Sequence, residues 1–266
     1  MIAESSAREV RLEIDNMLTA LSELARKESV MSMDWETQKA ALTPEIERLG
    51  FLNMGVASKD GILRNVDETT TEVGDRDYMK RALSGEANAS DPLISRVTNQ
   101  LVIMVAAPIK VDGEVKAVLL ARADGNMLSE ITSNKGYGDG GYAYMVDGNG
   151  TFIAHEDHEL VLSGANYIEV AKTDSDYEEF AAVLARMTQG QKGTGEYYFQ
   201  GSRRRMGFAP IEGTSWSIAV GAHNDKVLAP VYSMRNIIML ISLAALIAGM
   251  IIAYYIGNVF SKPIIM

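Results

Sequence analysis

Residues suited to holding a small charged molecule occur together at positions 75–78 (DRDY) and again at Asp124. The guanidinium group of Arg76 is a planar fork that can bind a carboxylate through two charge-assisted hydrogen bonds. Asp124, at the end of a predicted strand, could pair with an ammonium group, and Tyr78 supplies an aromatic face. An α-amino acid zwitterion requires this combination of a cation, an anion and an aromatic side chain.

The same residues also have a purely structural interpretation. Tyr78 could be a core aromatic residue whose hydroxyl finds a hydrogen-bond partner. Arg76 could belong to a surface ion pair, which would contribute little to stability. The acidic neighbours available to Arg76 for such a pair are Glu72, Asp75 and Asp77. The residue types alone leave both interpretations open.

Other motifs suggest chemistry but predict structure. Positions 155–159 (HEDHE) are dense in metal-ligand types, yet their spacing matches no zinc motif, so a structural loop is predicted. Four glycines within 136–141 precede a strand, with no Lys-Ser/Thr pair after them, which indicates a linker between modules. The arginines at 203–205 predict a solvated strand edge. Asp91-Pro92 predicts a turn.

The composition excludes several classes of protein. The 266 residues contain 35 acidic and 25 basic side chains, which is unsuited to nucleic acid, whose binding depends on neutralising phosphates. Cysteine is absent, which excludes disulfides and thiolate metal sites. The sequence offers no evident Ser-His-Asp arrangement for nucleophilic catalysis. We therefore expect a non-enzymatic protein with no catalytic residues, no cofactor and no bound metal.

An apolar run near the C-terminus predicts a membrane-spanning helix. Ile237–Ile256 holds 20 residues without a charge or a proline, enough for a helix to cross the roughly 30 Å hydrocarbon core. A buried helix of a soluble protein would usually be shorter and carry a polar stripe. We expect residues 237–256 to contact membrane lipid. Ten residues follow the run, so we expect the chain to be part of a larger protein.

The first segment has the spacing of a helix that packs along its whole length. Its apolar residues recur every three or four positions, as in a helix that packs on another helix. The members of this seam are Ala3, Ala7, Val10, Ile14, Met17, Leu21 and Leu24. Leu12, Leu18 and Ala25 widen the apolar face. Two interpretations are open: a stalk-like helix at a homodimer interface, or an amphipathic helix packed on its own domain.

Two successive units follow the same order of elements, namely strand, turn, strand, helical crossover and a meander of strands. A helix over Trp35–Leu49, with Pro44 near its start, precedes them. The first unit is predicted to have strands at 51–57, 61–66, 101–110 and 115–123, and helices at 78–83 and 127–134. The second is predicted to have strands at 142–146, 151–155, 196–200, 204–211 and 216–221, and a helix at 177–189. The Asp112-Gly113 turn predicts an antiparallel hairpin.

Four stretches, in this order, resemble the double Cache sensor region of bacterial transmembrane receptors, chemotaxis receptors in particular. The stretch GDRDYMKRALSGEANASDPLISRVTNQLVIMVAAPIKVDGEVKAVLLARAD resembles the membrane-distal module. YAYMVDGNGTFIAHEDHELVLSG resembles the start of the membrane-proximal module, and YYFQGSRRRMGFAPIEGTSWSIAVGA resembles its last strands. The terminal SKPI is similar to the opening of a HAMP linker. The resemblance covers nearly the whole chain.

The resemblance implies an α+β fold: a long N-terminal helix, two PAS-like (Cache) antiparallel-sheet modules and a transmembrane helix. The implied domains are a dimerisation or stalk helix at 1–34, a membrane-distal module at 35–134, a membrane-proximal module at 135–235, a transmembrane helix at 236–257 and the start of a HAMP linker at 258–266. In this family another membrane helix precedes the sensor. Its apparent absence here would explain the missing signal sequence and put residues 1–235 outside the cell, anchored in the cell membrane.

In the family, small ligands bind the membrane-distal module, where positions 75–78 fall. Its amino-acid-binding subset carries Arg-x-Trp-Tyr, a later Tyr and an Asp. This chain matches at Arg76 and Asp124, has Tyr78 in place of Trp, and departs at Met79 and at 93–94. The implied ligand is an amino acid or another small carboxylate or amine, and Arg76→Ala and Asp124→Ala are expected to abolish its binding. The implied contacts are Arg76, Tyr78, Asp124, Asp75, Met79, Leu93 and Met104.

The resemblance further implies a homodimeric sensor, not an enzyme, whose C-terminal helix acts on cytoplasmic signalling partners through sequence beyond residue 266. The same sensor could precede a histidine kinase or a diguanylate cyclase. It could also sense through a partner binding protein instead of binding a small molecule directly. A membrane-anchored hydrolase, or a binding protein with no signalling role, would be a different class of protein. That alternative predicts a cluster of catalytic polar residues in a cleft, which the sequence does not offer.

Overall fold

The computed structural model describes residues 2–261 except 97, 99, 134 and 137–140, with side chains described outside 223–236 and 257–261. An N-terminal helix, two antiparallel sheets and a C-terminal apolar helix follow one another, which confirms the predicted α+β fold. Three predictions fall outside the described residues: the helix end at Asn134, Gly138 and Gly140 of the linker, and positions 262–266 of the HAMP start.

The elements are numbered in chain order. The helices are α1 (Ile2–Ala25), α2 (Glu28–Met31), α3 (Trp35–Leu49), α4 (Asp77–Leu83), α5 (Met127–Ser133), α6 (His158–Leu162), α7 (Tyr167–Val170), α8 (Glu178–Thr188) and α9 (Asn224–Ser261), with a 3₁₀ turn at Ser175–Tyr177. The strands of the first sheet are β1 (Asn53–Ser58), β2 (Ile62–Asn65), β3 (Thr70–Glu72), β4 (Asn88–Ala89), β5 (Leu93–Ile94), β6 (Leu101–Val111) and β7 (Glu114–Asp124). Those of the second are β8 (Gly141–Val146), β9 (Phe152–Ala154), β10 (Gly193–Phe199), β11 (Ser202–Pro210) and β12 (Ser217–His223).

Each sheet is built from antiparallel neighbours. The first has the order β3-β2-β1-β7-β6-β4, with β5 also paired to β6, and the second has the order β10-β11-β12-β8-β9. Strands β6 and β7 form the hairpin predicted from Asp112-Gly113. Both turn residues have a positive φ, 51° and 82°, which a tight two-residue hairpin turn requires and which Asp-Gly adopts readily.

Several short elements escape the sequence prediction, whereas the long ones appear near their expected positions. Helices α2, α6 and α7 and strands β3, β4 and β5 are two to five residues long, too short to show a hydrophobic period. Pro44 was predicted near the start of its helix but lies in the interior of α3. The helix has the predicted bounds and begins at Trp35, because the Asp34 carboxylate caps it by accepting a hydrogen bond from the Thr37 amide at 3.0 Å.

Helix α1 joins both sheets into one apolar core. Six of its seven predicted seam residues are buried, with relative exposures of 5% or less: Ala3, Ala7, Val10, Ile14, Leu21 and Leu24. The same core contains Ile103 and Val105 from the first sheet and Ile218 and Val220 from the second. The seam is therefore occupied within the chain and is not available to a second subunit. A dimer contact through α1 would have to use the opposite face, where Leu12 is exposed.

Helix α9 continues directly from the second sheet. Strand β12 ends at His223 and α9 begins at Asn224, so no loop separates the two. Within α9, Ile237–Ile256 has a mean hydropathy of 2.6, and none of this stretch is buried in the protein. The helix is long and apolar enough to cross a membrane.

We expect Leu21→Ala to destabilise the folded chain by about 2–5 kcal/mol, because a cavity would replace a fully buried side chain. Leu12→Ala is the matched control on the same helix. At 61% exposure, this leucine should change the free energy of unfolding by less than about 0.5 kcal/mol when truncated. Urea unfolding of the full chain in detergent, followed by fluorescence, measures both variants. Equal effects would contradict the packing of α1 on the sheets.

Candidate ligand-binding site

A small space, the distal cavity, lies on the face of the first sheet that packs against α4. Its volume is about 40 Å³, enough for one or a few water-sized groups. Its wall comes from strands of the sheet, from the start of α4 and from the loop before β6. Polar side chains in the wall include Asn53, Asn65, Thr71, Arg76, Arg96 and Arg122. Apolar side chains in the wall include Leu63, Tyr78, Leu93, Met104 and Leu120.

Strand register brings part of this wall together. Side chains two residues apart on a strand point to the same face, which places Leu120 and Arg122 of β7 on the cavity side. Arg122 lies opposite Asn53 of β1 on one side and Met104 of β6 on the other. Three lining side chains thus form one row across three neighbouring strands.

Arg76 reaches the cavity from the beginning of α4. It occupies the N-cap position with extended backbone, φ −78° and ψ 138°, and its side chain takes no part in capping. Its carbonyl accepts hydrogen bonds from the amides of Met79 and Lys80, which fixes the backbone. Tyr78 is 6% exposed and lines the same cavity. Burial raises the pKa of the Tyr78 hydroxyl, so it remains a neutral hydrogen-bonding group at physiological pH.

Arg96, which also lines the cavity, is held by Asp75. Its Nη1 and Nη2 atoms donate to the Asp75 carboxylate at 3.2 and 2.8 Å, and Nη1 also donates to the Glu72 carbonyl at 3.2 Å. The hydrogen bonds from Arg96 lower the pKa of the Asp75 carboxyl. Asp75 is therefore engaged by Arg96, and the surface pair between Asp75 and Arg76 that the sequence allowed does not form.

Two other guanidinium groups at the cavity, those of Arg76 and Arg122, are not held in an ion pair of this kind. No carboxylate among the described residues forms an ion pair with Arg76 or with Arg122. The Arg122 Nε and the Thr71 hydroxyl are buried, and neither has a hydrogen-bond partner among the described residues. A buried polar group left unpaired costs about 1–3 kcal/mol. These orphaned atoms mark the cavity as a place where a hydrogen-bonding ligand would be stabilised.

The carboxylate of Asp67 influences this site from a distance. It accepts a hydrogen bond from the Asn53 amide at 2.7 Å and others from Thr69. Burial raises the pKa of the Asp67 carboxyl, but the hydrogen bonds from Thr69 and the nearby charge of Arg122 lower it further than burial raises it. Asp67 therefore remains ionised without forming an ion pair with Arg122.

Four of the seven predicted ligand contacts line the distal cavity, namely Arg76, Tyr78, Leu93 and Met104. Met79 is fully buried in the apolar core under α4 and is absent from the wall. Asp124 is exposed, and its carboxylate accepts from the backbone and side-chain amides of Asn126 at 2.9 and 3.0 Å. Asp124 thus stabilises the turn into α5 and is not brought to the cavity.

Sequence reasoning missed Arg96, Arg122 and Thr71. Arg122 gave a usable signal, because it is a single charge inside the apolar stretch VLLARA of a strong strand. A charged side chain at such a position is rarely buried without a reason. Thr71 and Arg96 gave no signal, since they lie on a three-residue strand and in a loop whose positions depend on tertiary packing.

A wider cleft adjoins the distal cavity. Its volume is about 860 Å³, and it lies between α1, the start of α4 and the turn that precedes β12. Arg76, Tyr78 and Leu93 line both spaces, so these three side chains form the wall between them. The cleft provides a route from solvent to that wall.

One hydrogen bond crosses the cleft between the two sheets. The indole N–H of Trp216, just before β12, donates to the carboxylate of Asp91. Asp91-Pro92 was predicted only to shape a turn, but Asp91 also ties this loop of the first module to the second. Leu93, two residues further on, lines the distal cavity. The ligand side of the first sheet is therefore linked to the start of β12 through a few residues.

The histidine-rich segment is used in local structure. The Nδ1 atom of His155 accepts from the Asp157 amide at 2.8 Å, and the Asp157 carboxylate caps α6 by accepting from the Glu159 amide at 3.1 Å. Across the residues that the structure describes, no group of three or more His, Asp or Glu side chains is placed to hold a metal ion.

The chain thus combines a cationic cavity on one sheet, a second sheet joined to the first by a shared helix, and an apolar helix long enough to cross a membrane. The sequence matches the dCache_1 family, described as a Cache domain, over residues 2–231, and the chain belongs to this family. The recognition of a double Cache region from the sequence is therefore confirmed.

Several of the similar proteins are chemoreceptors. The chain is 21% identical over 190 residues to the methyl-accepting chemotaxis protein PctB of Pseudomonas aeruginosa, covering 70% of this chain and 28% of PctB. It is 25% identical over 189 residues to McpB of Bacillus subtilis, covering 71% of this chain and 26% of McpB. The ligand-binding domain of the Pseudomonas fluorescens chemoreceptor CtaA, in complex with L-alanine, superposes with a TM-score of 0.68 at 19% identity, covering 85% of this chain and 96% of that domain. The chain matches only about a quarter of the length of these two curated relatives.

We expect Arg122→Met to stabilise the ligand-free chain by roughly 1 kcal/mol, because it removes a buried, unpaired donor while keeping a long side chain. Arg203→Met is the control on an exposed arginine, whose ion pair with Glu179 at 3.7 Å contributes little. Urea unfolding of the full chain compares the two. A loss of stability in Arg122→Met would show that Arg122 has a stabilising partner in the ligand-free protein.

Proposed function

We propose that this chain is the extracytoplasmic ligand-binding sensor of a bacterial transmembrane chemoreceptor and that its ligand is a small carboxylate bound at the distal cavity. The observation that carries the proposal is the presence of two guanidinium groups, Arg76 and Arg122, at one cavity without ion-pair partners among the described residues. A carboxylate satisfies both the positive charge and the fork geometry of arginine.

The charges at the cavity favour a carboxylate over an amine. A ligand ammonium group would lie beside Arg76 and Arg122 and would need a nearby anion. Asp75 is already engaged by Arg96, Asp67 near Arg122 is engaged by Asn53 and Thr69, and Asp124 faces solvent at the turn into α5. The CtaA domain binds L-alanine in its solved complex, so an amino acid is one carboxylate to test. A carboxylate without an amino group fits the cavity charges at least as well.

Membrane anchoring follows from α9 in this proposal. The apolar segment Ile237–Ile256 spans the bilayer, and residues 1–235 lie on the outer side. The small residues Ala245 and Gly249 on the span allow two such helices to approach closely in a receptor homodimer. Cytoplasmic signalling partners are reached through sequence beyond α9.

A route for the signal is suggested by the connection between the sheets. Leu93 lines the distal cavity, Asp91 on the same loop accepts from Trp216, and β12 follows Trp216 and runs into α9 without a loop. A ligand that draws Arg76 and Leu93 inwards would thereby displace β12 and α9 together. This requires two arrangements of the link, of which the ligand stabilises one.

Two alternatives keep the same sensor. The output could be a histidine kinase or a diguanylate cyclase, because the sensor fold does not specify the cytoplasmic part. The receptor could also sense through a partner binding protein. The orphaned Arg122 Nε and Thr71 hydroxyl favour a small ligand held directly in the cavity.

We expect small carboxylates to raise the unfolding temperature of the full chain, since a ligand at a hundredfold excess over its Kd stabilises by about 2.7 kcal/mol. Arg76→Ala should weaken binding about thirtyfold or more, because the bound carboxylate would lose a buried charged partner. Thermal-shift and calorimetric titration with a panel of monocarboxylates, dicarboxylates, amino acids and their neutral amides measure this.

Lys80→Ala is the matched control, since Lys80 is an exposed cation on α4 outside the cavity wall. It should bind the carboxylate as the unmodified chain does. Asp124→Ala should also leave binding intact, whereas loss of binding in that variant would show that Asp124 reaches an ammonium group on the ligand. The absence of any shift across the panel, with the chain folded, would favour a partner binding protein.

We expect Trp216→Phe to keep ligand binding but to reduce the ligand response several-fold in a receptor that carries this chain ahead of a chemoreceptor cytoplasmic region. The variant keeps most of the buried volume and removes the N–H that Asp91 accepts from. Tyr198→Phe, on an exposed aromatic residue of the same sheet, is the control. An unchanged response in Trp216→Phe would exclude this hydrogen bond from transmission.

A further inference from the structure

The second sheet carries a cavity of its own, the proximal cavity, on the face that packs against α8. Its volume is about 240 Å³, compared with about 40 Å³ for the distal cavity. This is room for a ligand with a ring, and it lies entirely within the second module. The proposed function makes no use of this space.

Strand alternation directs one of three consecutive arginines into the proximal cavity. On β11, Arg203 pairs with Glu179 and Arg205 pairs with Glu196, and both are exposed. Arg204, between them, points to the opposite face and lines the cavity. The edge predicted for 203–205 is therefore wrong, because β11 pairs with β10 on one side and with β12 on the other. Only the solvent exposure of Arg203 and Arg205 agrees with that prediction.

Arg204 is held by aromatic rings and has no counter-charge. Its guanidinium carbon lies 4.6 Å from the ring centroid of Phe199 and 5.4 Å from that of Tyr142. Its Nε is buried without a hydrogen-bond partner in the described part of the chain, and no carboxylate there forms an ion pair with it. This half-buried guanidinium has the Tyr197 hydroxyl as a polar neighbour but no paired carboxylate in the described part of the chain, so it would gain from an anionic ligand.

The polar side chains closest to Arg204 inside the cavity supply hydrogen-bond donors, and none of them is an anion. His155 lines it, and because its Nδ1 accepts from the Asp157 amide, the neutral ring carries its hydrogen on Nε2. Burial lowers the pKa of His155, which favours that neutral form. The Tyr197 hydroxyl hydrogen-bonds to the Tyr142 hydroxyl at 2.9 Å. The surplus of donors calls for a ligand that accepts hydrogen bonds.

Most of the remaining wall is aromatic, and Leu160 and Gln200 also line it. Phe180 of α8 stacks on Tyr197 at 4.5 Å between ring centroids, and Phe199 meets Phe180 edge to face at 5.1 Å. Tyr144 and Phe152 continue this surface at 5.0 Å from each other. Such rings favour a flat, apolar body that stacks or meets them edge-on.

Glu156 and Asp157 stand at the mouth of the cavity and are exposed. Their repulsion of an anion is weak because exposed charges are screened by water and salt. Asp157 is moreover engaged in capping α6. The interior charge of Arg204 therefore decides the sign of the ligand.

We propose that the membrane-proximal module contains a second binding site, for a planar aromatic monocarboxylate. The carboxylate accepts hydrogen bonds from Arg204 and from His155 Nε2. The ring of the ligand packs against Phe180, Tyr197 and Phe199. This site stands on residues that the distal cavity does not share, so it holds whether or not a carboxylate binds at Arg76.

Benzoate is the probe, and calorimetric titration of the full chain in lipid nanodiscs is the measurement. We expect millimolar or tighter binding of benzoate, and a loss of at least about thirtyfold in Arg204→Met. Arg203→Met, the neighbouring arginine that faces outwards, should bind as the unmodified chain does. Arg76→Ala should also retain binding, because it alters the distal cavity and the adjoining cleft, and neither space shares a residue with the proximal cavity.

Benzamide and cyclohexanecarboxylate test the two parts of the ligand, and each should bind more weakly than benzoate. Arg204→Lys keeps the charge without the planar fork and should lose at least about tenfold, which preserves the test if Arg204→Met does not fold. Loss of benzoate binding in Arg76→Ala but not in the Arg204 variants would overturn the proposal in favour of the distal cavity. The absence of benzoate binding at millimolar concentration, or equal affinity for benzamide, would also overturn it.

Discussion

The packing of one helix across two sheets is the constraint on which the rest of the structure depends. The start of α1 lies on the second sheet, where the Ala3 methyl is 3.9 Å from the position a side chain at Gly207 would take. Arg11 of the same helix donates to the Glu212 carbonyl at 2.8 Å, next to the turn that leads to Trp216. Because α1 also packs on β6, it sets the distance between the sheets. That distance leaves room for the cleft between the sheets and lets the Trp216 indole reach the Asp91 carboxylate.

Much of the fold follows from sequence periodicity, and much of the site does not. The α1 seam, the β6–β7 hairpin and the apolar segment Ile237–Ile256 are long enough for their patterns to be decisive. The same seam was compatible with a helix partner or with two sheets, and periodicity cannot distinguish these, since both bury one stripe. At the site, Arg76 was found from its neighbours, whereas the partner of Asp75 could not be. That partner, Arg96, lies 21 positions away in a loop whose path depends on tertiary contacts.

In both modules, an arginine side chain on a strand lines the cavity. Arg122 lines the distal cavity from β7, a strand whose neighbouring residues are apolar. Arg204 lines the proximal cavity from β11, between two arginines that form ion pairs at the surface. In each case the Nε is buried and unpaired among the described residues. Burying such a charge without a partner lowers the stability of the ligand-free protein, and the binding of an anion offsets that cost. The two sites differ in their walls, which are mixed and small in the first and aromatic and larger in the second.

The wall formed by Arg76, Tyr78 and Leu93 has a consequence for timing. It separates a space of about 40 Å³ from a cleft of about 860 Å³, so a ligand larger than a few water molecules fits the distal cavity only when these side chains move. The rate of ligand exchange then depends on how often these side chains move apart, and not on how fast the ligand diffuses to them. A receptor with such an entrance averages the surrounding concentration over the residence time of each bound molecule. In the chemoreceptor proposed for this chain, that interval would set the shortest distance over which a moving cell could tell two successive samples apart.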